Sequence, residues 1–409
     1  MDKATFDGLL QAMLESSAGV SDLLFICGKP PLVENYGQLA EFPVDTGHLD
    51  QPMVQKIAGH LMNGHARLQQ DFERVGSCDC SYSLDGSAHF RVNIFRQHGR
   101  HAVVMRKLPS EIPTIDSLGL PAVFREMVTE KTGIIVVTGS TGSGKTTTLA
   151  ALVNEINTTQ QIHIVTLEDP IEFRHVHKQA AISQRELGND FPTFADGLRA
   201  AMRQAPKVIL VGEIRDRESM DIALSASETG HLVFATLHTI SASQTVNRIL
   251  GLYERDEQQQ IRQRLADTLR FVASQRLVQK NGGGRLLVTE VMGSNLRTRE
   301  TIVYGESENK SFQEIIEASC TLGWHSFDQQ LFAALDQNQI SEEIAMLNCT
   351  NKGRMRQKID LLRKQRGAVA EADSGLKMEH PVSVDAIVQA VENAGPLRMA
   401  PPPPAAKPV

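Results

Sequence analysis

Gly139-Ser140-Thr141-Gly142-Ser143-Gly144-Lys145-Thr146 combines three glycines, a lysine and several hydroxyls at the spacing that suits a polyphosphate, and Thr147 continues the hydroxyl run. The glycines allow the turn that points backbone N–H groups at phosphate oxygens, and a helix starting near Gly144 adds the positive end of its dipole. Lys145 supplies a point charge for the β and γ phosphates, and the Thr146 hydroxyl is placed to ligate Mg²⁺. The apolar run Gly133 to Val137 directly before the loop reads as the strand that delivers it. The stretch predicts a nucleoside triphosphate site.

Such a site needs carboxylates that hold Mg²⁺ or orient a water. Two candidates end apolar runs: Ile164-Val165-Thr166-Leu167 leads into Glu168, and Val208-Ile209-Leu210-Val211 leads through Gly212 into Glu213. Both acids are expected at the carboxyl edge of a parallel sheet, where ligands of open α/β folds bind. Asp216 reads as a helix cap. His231 and His238 bracket the run Leu232 to Leu237. Such histidines are commonly structural, but a neutral imidazole could also sense nucleotide state through a phosphate or a coupling carboxylate. Arg91, Arg96, Arg100 and Arg106 form a solvated face or include a residue that stabilises charge on a transferred phosphoryl group. Their chemistry does not choose among them.

These groups require a doubly wound α/β core. The runs Ile134–Val137, His163–Leu167, Val208–Val211 and Leu232–Leu237 read as its parallel strands, each buried on both faces. After Thr239 the pattern reads as mostly helical to about Gln365, interrupted by a strand at Leu286–Val291. Residues 1–107 read as a smaller α+β domain. It has a helix carrying Phe6, Leu9, Leu10, Met13 and Leu14, a strand at Ser21–Ile26, a hairpin of Asp79–Leu84 and His89–Phe95 turning at Asp85-Gly86, and a strand at Ala102–Arg106. The proline-rich stretch 108–121 reads as a linker, 122–366 as the triphosphate-binding domain with a helical C-terminal part, and 367–409 as a disordered, proline-rich tail. Within that tail Val384, Ile387, Val388 and Val391 form a short apolar stripe.

A chain of 409 residues exceeds one ordinary core, which agrees with two domains. The net charge of −6 argues against a nucleic-acid partner, which calls for a basic excess. Basic residues do crowd 352–366. No apolar run approaches the roughly 20 residues that span a bilayer, and Met1-Asp2-Lys3-Ala4-Thr5-Phe6 is unlike a signal peptide, so a cytoplasmic location is expected. Five scattered cysteines suit reduced thiols, and Cys78-x-Cys80 is too tight for a structural zinc site.

Four ordered boxes together resemble the secretion ATPase superfamily, and within it the type IV pilus retraction motors. They are the phosphate loop, Thr166 to Phe173, Leu210 to Asp216, and Thr229 to Thr239; similarity extends from Ser21-Asp22-Leu23 to Gly323–Leu331. The resemblance implies a PAS-like N-terminal domain, a RecA-like P-loop core, a homohexameric ring, and ATP with Mg²⁺ as ligands. It implies that Glu213 activates water, that Glu168 supports metal and water, and that His231 and His238 couple the site to motion. It also selects Arg91 and Arg106 from the four arginines. The implied setting is the cytoplasmic face of the inner membrane, against a pilus platform protein, with a paralogous pilus ATPase as a further partner. Pilus extension and type II secretion ATPases generally carry a four-cysteine zinc module that is missing here, which favours the retraction branch. Two departures stand out: Ala205-Pro206-Lys207 where relatives place two aspartates around the proline, and Thr301-Ile302-Val303 as the nearest match to an Ala-Ile-Arg run.

Overall fold

A computed structural model describes residues 2–366 except 45, 46, 63, 85–87, 110, 308 and 309. The Asp85-Gly86 turn and everything expected of 367–409 lie outside the described residues. The chain divides into a large unit, Met1–Arg356, and a second, Gln357–Val409, whose described part is the end of the helix Lys352–Gln365.

The large unit contains two sheets. The first begins after helix α1 (Lys3–Glu15), which Asp2 caps by accepting from the Thr5 backbone N–H at 2.8 Å. Phe6, Leu10 and Met13 recur at helical spacing and are fully buried, with Leu9 and Leu14 packed beside them. Strands β1 (Val20–Ile26), β2 (Leu32–Asn35) and β3 (Gln38–Glu41) precede helices α2 (Gln51–Met62) and α3 (Ala66–Val75). Strands β4 (Ser77–Leu84), β5 (Ala88–Gln97) and β6 (Arg100–Lys107) complete an antiparallel sheet of order β3-β2-β1-β6-β5-β4. Leu23, Phe25, Phe90, Val92, Ile94, Val103 and Met105 pack with α1 and α2 into one core, and Cys78 and Cys80 point into it.

Register lines up polar residues on that sheet. Ser81 of β4 stands opposite Arg91 of β5, Arg91 opposite Arg106 of β6, and Arg106 opposite Asp22 of β1. Directly opposed residues share a face, so these four form one transverse row.

The second sheet carries the phosphate loop. After the short helix α4 (Val123–Met127) come β7 (Gly133–Gly139), α5 (Lys145–Thr159), β8 (His163–Glu168), β9 (Ala181–Glu186), α6 (Phe194–Ala201), β10 (Val208–Val211), α7 (Arg217–Glu228), β11 (Leu232–Leu237), α8 (Ala242–Leu250) and α9 (Gln258–Thr268). β12 (Leu269–Gln279) and β13 (Arg285–Gly293) close an order β13-β12-β7-β11-β10-β8-β9, parallel except for the β12–β13 pair. Alternate residues enter two separate cores. Ile134, Val136, Ile209 and Val211 pack into one, and Ile135, Val137, Val208 and Leu210 into the other. A strand sandwiched in this way reads as a continuous apolar run, which is why β7, β8, β10 and β11 were legible.

Two strands correct the sequence-based expectation. The mostly helical course after Thr239 is broken by β12, eleven residues that begin immediately after α9 with no glycine or proline to mark the change. β9, Ala181–Glu186, escaped because its buried positions are Ile182 and Glu186 and its remaining side chains are polar or small. No helix among the described residues is long and apolar enough to cross a membrane.

Candidate active site

The sheet ends set the geometry. Gly139 closes β7 with φ +148°, and a Cβ there would lie 2.6 Å from the Gln275 carbonyl oxygen of β12 and 2.4 Å from Ser143 Oγ. Only glycine permits that approach. Gly144 then stands as N-cap of α5 at φ +92°, aiming the first turn of the helix into a cavity of about 590 Å³. Thr141, Gly142, Gly144, Lys145, Thr146 and Thr147 line this cavity. Ser140 is exposed beside it, whereas Ser143 is buried under the loop with its hydroxyl unpaired among the described residues.

Lys145 Nζ donates to the carbonyl oxygens of Gly139 at 2.9 Å and Ser140 at 3.1 Å, and lies 3.5 Å from His238 Nδ1. Burial lowers its pKa, opposed by the charges of Glu213 and Glu172. The floor of the loop is held from β12. Gln275 Nε2 donates to Thr148 Oγ1 at 2.6 Å, and Thr138 Oγ1 donates to Ser274 Oγ at 3.0 Å.

Parallel register carries both predicted acids to the same edge. Leu167 pairs with Val211, and the Gly212 N–H donates to the Leu167 carbonyl at 2.8 Å, so Glu168 and Glu213 emerge side by side. Glu168 Oε1 accepts from Thr166 Oγ1 at 2.6 Å and Gln184 Nε2 at 3.0 Å. Burial nevertheless pushes its pKa up to about 7. Glu213 is only 14% exposed; one carboxylate oxygen pairs with Arg215 and the other lies 3.5 Å from His238 Nε2. His238 thus stands between Lys145 and Glu213. Asp216 caps α7 by accepting from Ser219 N–H at 2.8 Å, the structural role expected of it.

The remaining candidates separate. Arg91 reaches the cavity from β5. Arg106, its cross-strand neighbour, instead donates from Nε to Asp22 Oδ1 at 2.8 Å; the arginine side chain is 69% exposed and the aspartate 8%. His231 precedes β11 and His238 follows it, so they lie at opposite edges of the sheet. A ring nitrogen of His231 lies 3.0 Å from the Ala226 carbonyl, away from the phosphate loop.

Sequence reasoning assigned no role to Thr166, Gln184, Arg215, Glu172, Gln275 or Arg285, which line the cavity or support its loop and acids. Thr166 carried a signal, because residues two apart on a strand share a face. Gln184 and Gln275 carried none, since they lie on the two unread strands.

The cavity has the size of a small-molecule site and gathers Lys145, the strand-end carboxylates Glu168 and Glu213, and Arg91 around a helix N-terminus, with Asp169, Glu172, Arg215 and Arg285 also on its wall, an arrangement suited to binding and cleaving a polyphosphate. Comparison with known proteins agrees. Residues 79–340 match the type II/IV secretion system protein family. The chain is 38% identical over 327 residues to the type IV pilus retraction ATPase PilT of Pseudomonas aeruginosa, covering 80% of this chain and 93% of the relative. It is 34% identical over 369 residues to the type IV pilus ATPase PilU of the same organism, covering 90% and 93%. A crystal structure of the pilus retraction motor PilT with bound ADP superposes with a TM-score of 0.77 at 39% identity, covering 86% of this chain and 98% of that one. Phosphate loop, strand-end acids and matched length therefore agree that this chain belongs to the type II/IV secretion system protein family and is an ATPase with a RecA-like core behind a smaller N-terminal domain.

Proposed function

We propose that the chain is a motor that couples ATP hydrolysis to retraction of a type IV pilus. The observation that carries this reading is the convergence of Lys145, Glu168 and Glu213 at one sheet edge, in a chain similar along most of its length to a named pilus retraction ATPase. The N–H groups of Ser140 to Thr147 would cradle the phosphates while Lys145 exchanges its two loop carbonyls for β- and γ-phosphate oxygens. Thr146, Glu168 and Glu213 offer oxygen donors, the set that a hard divalent cation prefers, so the residues fit Mg²⁺. When bound, Mg²⁺ supplies neutralisation of phosphate charge. Glu213 orients the attacking water and accepts its proton as the γ-phosphoryl group transfers. Glu168 must be ionised to share that task. Arg91 meets the charge spread over the transferring group, and His238, between Lys145 and Glu213, reports occupancy to the rest of the core. His231 acts at a distance, as a coupling residue at the other sheet edge.

Arg106 fits the same scheme as the partner of Arg91 in a homohexameric ring, where domains of neighbouring subunits complete each site. We place the domains at 1–107 and 122–366, joined by 108–121, and the ring at the cytoplasmic face of the inner membrane against a platform protein. A second reading is favoured by the longer match to PilU: a subunit that modulates a paralogous pilus ATPase.

Hydrolysis by the purified protein and its Glu213→Gln variant separates the two. Wild-type turnover at least a hundredfold above the variant supports the motor, and equal rates sink it. In the host, deletion is expected to leave excess immobile pili; bald cells would instead indicate an assembly role.

A further inference from the structure

The backbone of Ile171, three residues after Glu168, is gripped on both sides. Its N–H donates to Glu186 Oε2 at 3.1 Å, and its carbonyl accepts from His89 Nε2 at 3.1 Å. His89 belongs to β5 of the N-terminal sheet, whereas Glu186 ends β9 of the second sheet. A carbonyl only accepts, so His89 carries its proton on Nε2, leaving Nδ1 to accept from Ser83 Oγ at 2.9 Å. Burial and the charge of Arg174 lower the His89 pKa, which agrees with that neutral form. The other oxygen of Glu186 accepts from Ser81 Oγ of β4 at 2.8 Å and from Asn189 Nδ2 at 2.6 Å.

Glu186 is 6% exposed and joins three segments: the loop after Glu168, its own strand and the N-terminal hairpin. Each of its bonds replaces water that burial removed, so losing one partner leaves a buried polar group unpaired. Cross-strand register extends the grip. Ser83 stands opposite His89, and Ser81 stands opposite Arg91, the residue that enters the cavity. His89 and Arg91 lie two residues apart on β5 and so share a face.

We infer that His89 and Glu186 are positioning residues that clamp Ile171, docking the β4–β5 hairpin onto the acidic loop and holding Arg91 at the nucleotide. The clamp rests on the proposed role of Arg91 in ATP hydrolysis. It ties the seat of the N-terminal domain to the loop that follows Glu168, so that a shift of one displaces the other. Neither residue touches the cavity; both act through Ile171 and the hairpin.

The test uses the full chain. Hydrogen exchange at the Ile171 amide, without nucleotide, is expected to quicken at least tenfold in Glu186→Ala while amides of β12 stay unchanged. In steady-state ATP hydrolysis, His89→Leu is expected to lower kcat at least fivefold with KM within twofold. His89→Gln, whose side-chain N–H₂ still reaches the carbonyl, should recover most of the loss. Should Glu186→Ala not fold, Ser81→Ala removes one bond with little change in volume and is expected to quicken the same amide about threefold. Unchanged exchange at Ile171, or His89→Gln as impaired as His89→Leu, overturns the clamp. Quickened exchange at Ile171 with kcat unchanged in His89→Leu leaves the contact standing and sinks the proposed role of Arg91 in hydrolysis instead.

Discussion

Replacing Glu168 with glutamine removes a charge that the folded chain holds against its surroundings. Burial pushes the carboxyl from an ordinary 4.5 up to about 7, even with Thr166 and Gln184 donating to it. The folded state therefore binds this proton more tightly than the unfolded chain. That stabilisation is complete below the unfolded value and is lost as pH rises through 7. At about 1.4 kcal/mol per tenfold change in acidity, the ionised carboxylate costs the fold about 3 kcal/mol at pH 8. Glutamine keeps an acceptor for Thr166 and carries no charge. Glu168→Gln is thus expected to be more stable than the wild type by about 3 kcal/mol at pH 8, and by less than about 1 kcal/mol at pH 5. Trp324, the only tryptophan, is buried against Gly293 of β13 in the core that Ile135 and Val137 of β7 also enter, and reports urea unfolding of that core. The gain in stability should accompany a loss of hydrolysis, and wild-type kcat/KM should rise with pH up to a plateau above about 7, because that parameter reports the free enzyme. A stability difference that is the same at pH 5 and pH 8 would refute the reasoning.

Gly139→Ala must accommodate a Cβ 2.6 Å from the Gln275 carbonyl at φ +148°; loss of stability of about 1–3 kcal/mol and of binding to a fluorescent ATP analogue is expected. Arg106→Ala leaves buried Asp22 without its partner, so thermal denaturation should record about 1 kcal/mol of destabilisation alongside lower turnover. Adding Asp22→Asn should restore the melting temperature but not the turnover. His238→Ala removes the group between Lys145 and Glu213, and turnover is expected to fall at least tenfold while ATP affinity in equilibrium binding changes less than threefold.

The phosphate loop and both acids were legible because each follows an apolar run long enough to be a buried parallel strand. Burial of Val208–Val211 on two faces leaves no alternation to confuse with a surface strand. β12 was hidden by its direct passage out of α9, and with it went Gln275 and Ser274, the polar residues that hold the loop from beneath. His89 entered the sequence reading only as the first residue of an expected strand, since the carbonyl it meets lies 82 residues away.

Local sequence decided which groups have the chemistry: glycines that permit a phosphate-wrapping turn, a lysine and hydroxyls at the head of a helix, and carboxylates at strand ends. These properties depend on backbone freedom and on neighbours within a few residues, so they survive being read in one dimension. Tertiary structure alone decided how those groups are tuned and joined. Glu168 acquires its raised pKa from burial beside β9, Arg91 and Arg106 part company although they face each other across two strands, and His231 and His238 finish at opposite edges of one sheet. Desolvation, cross-strand register and contacts between distant segments exist only once the chain has closed on itself.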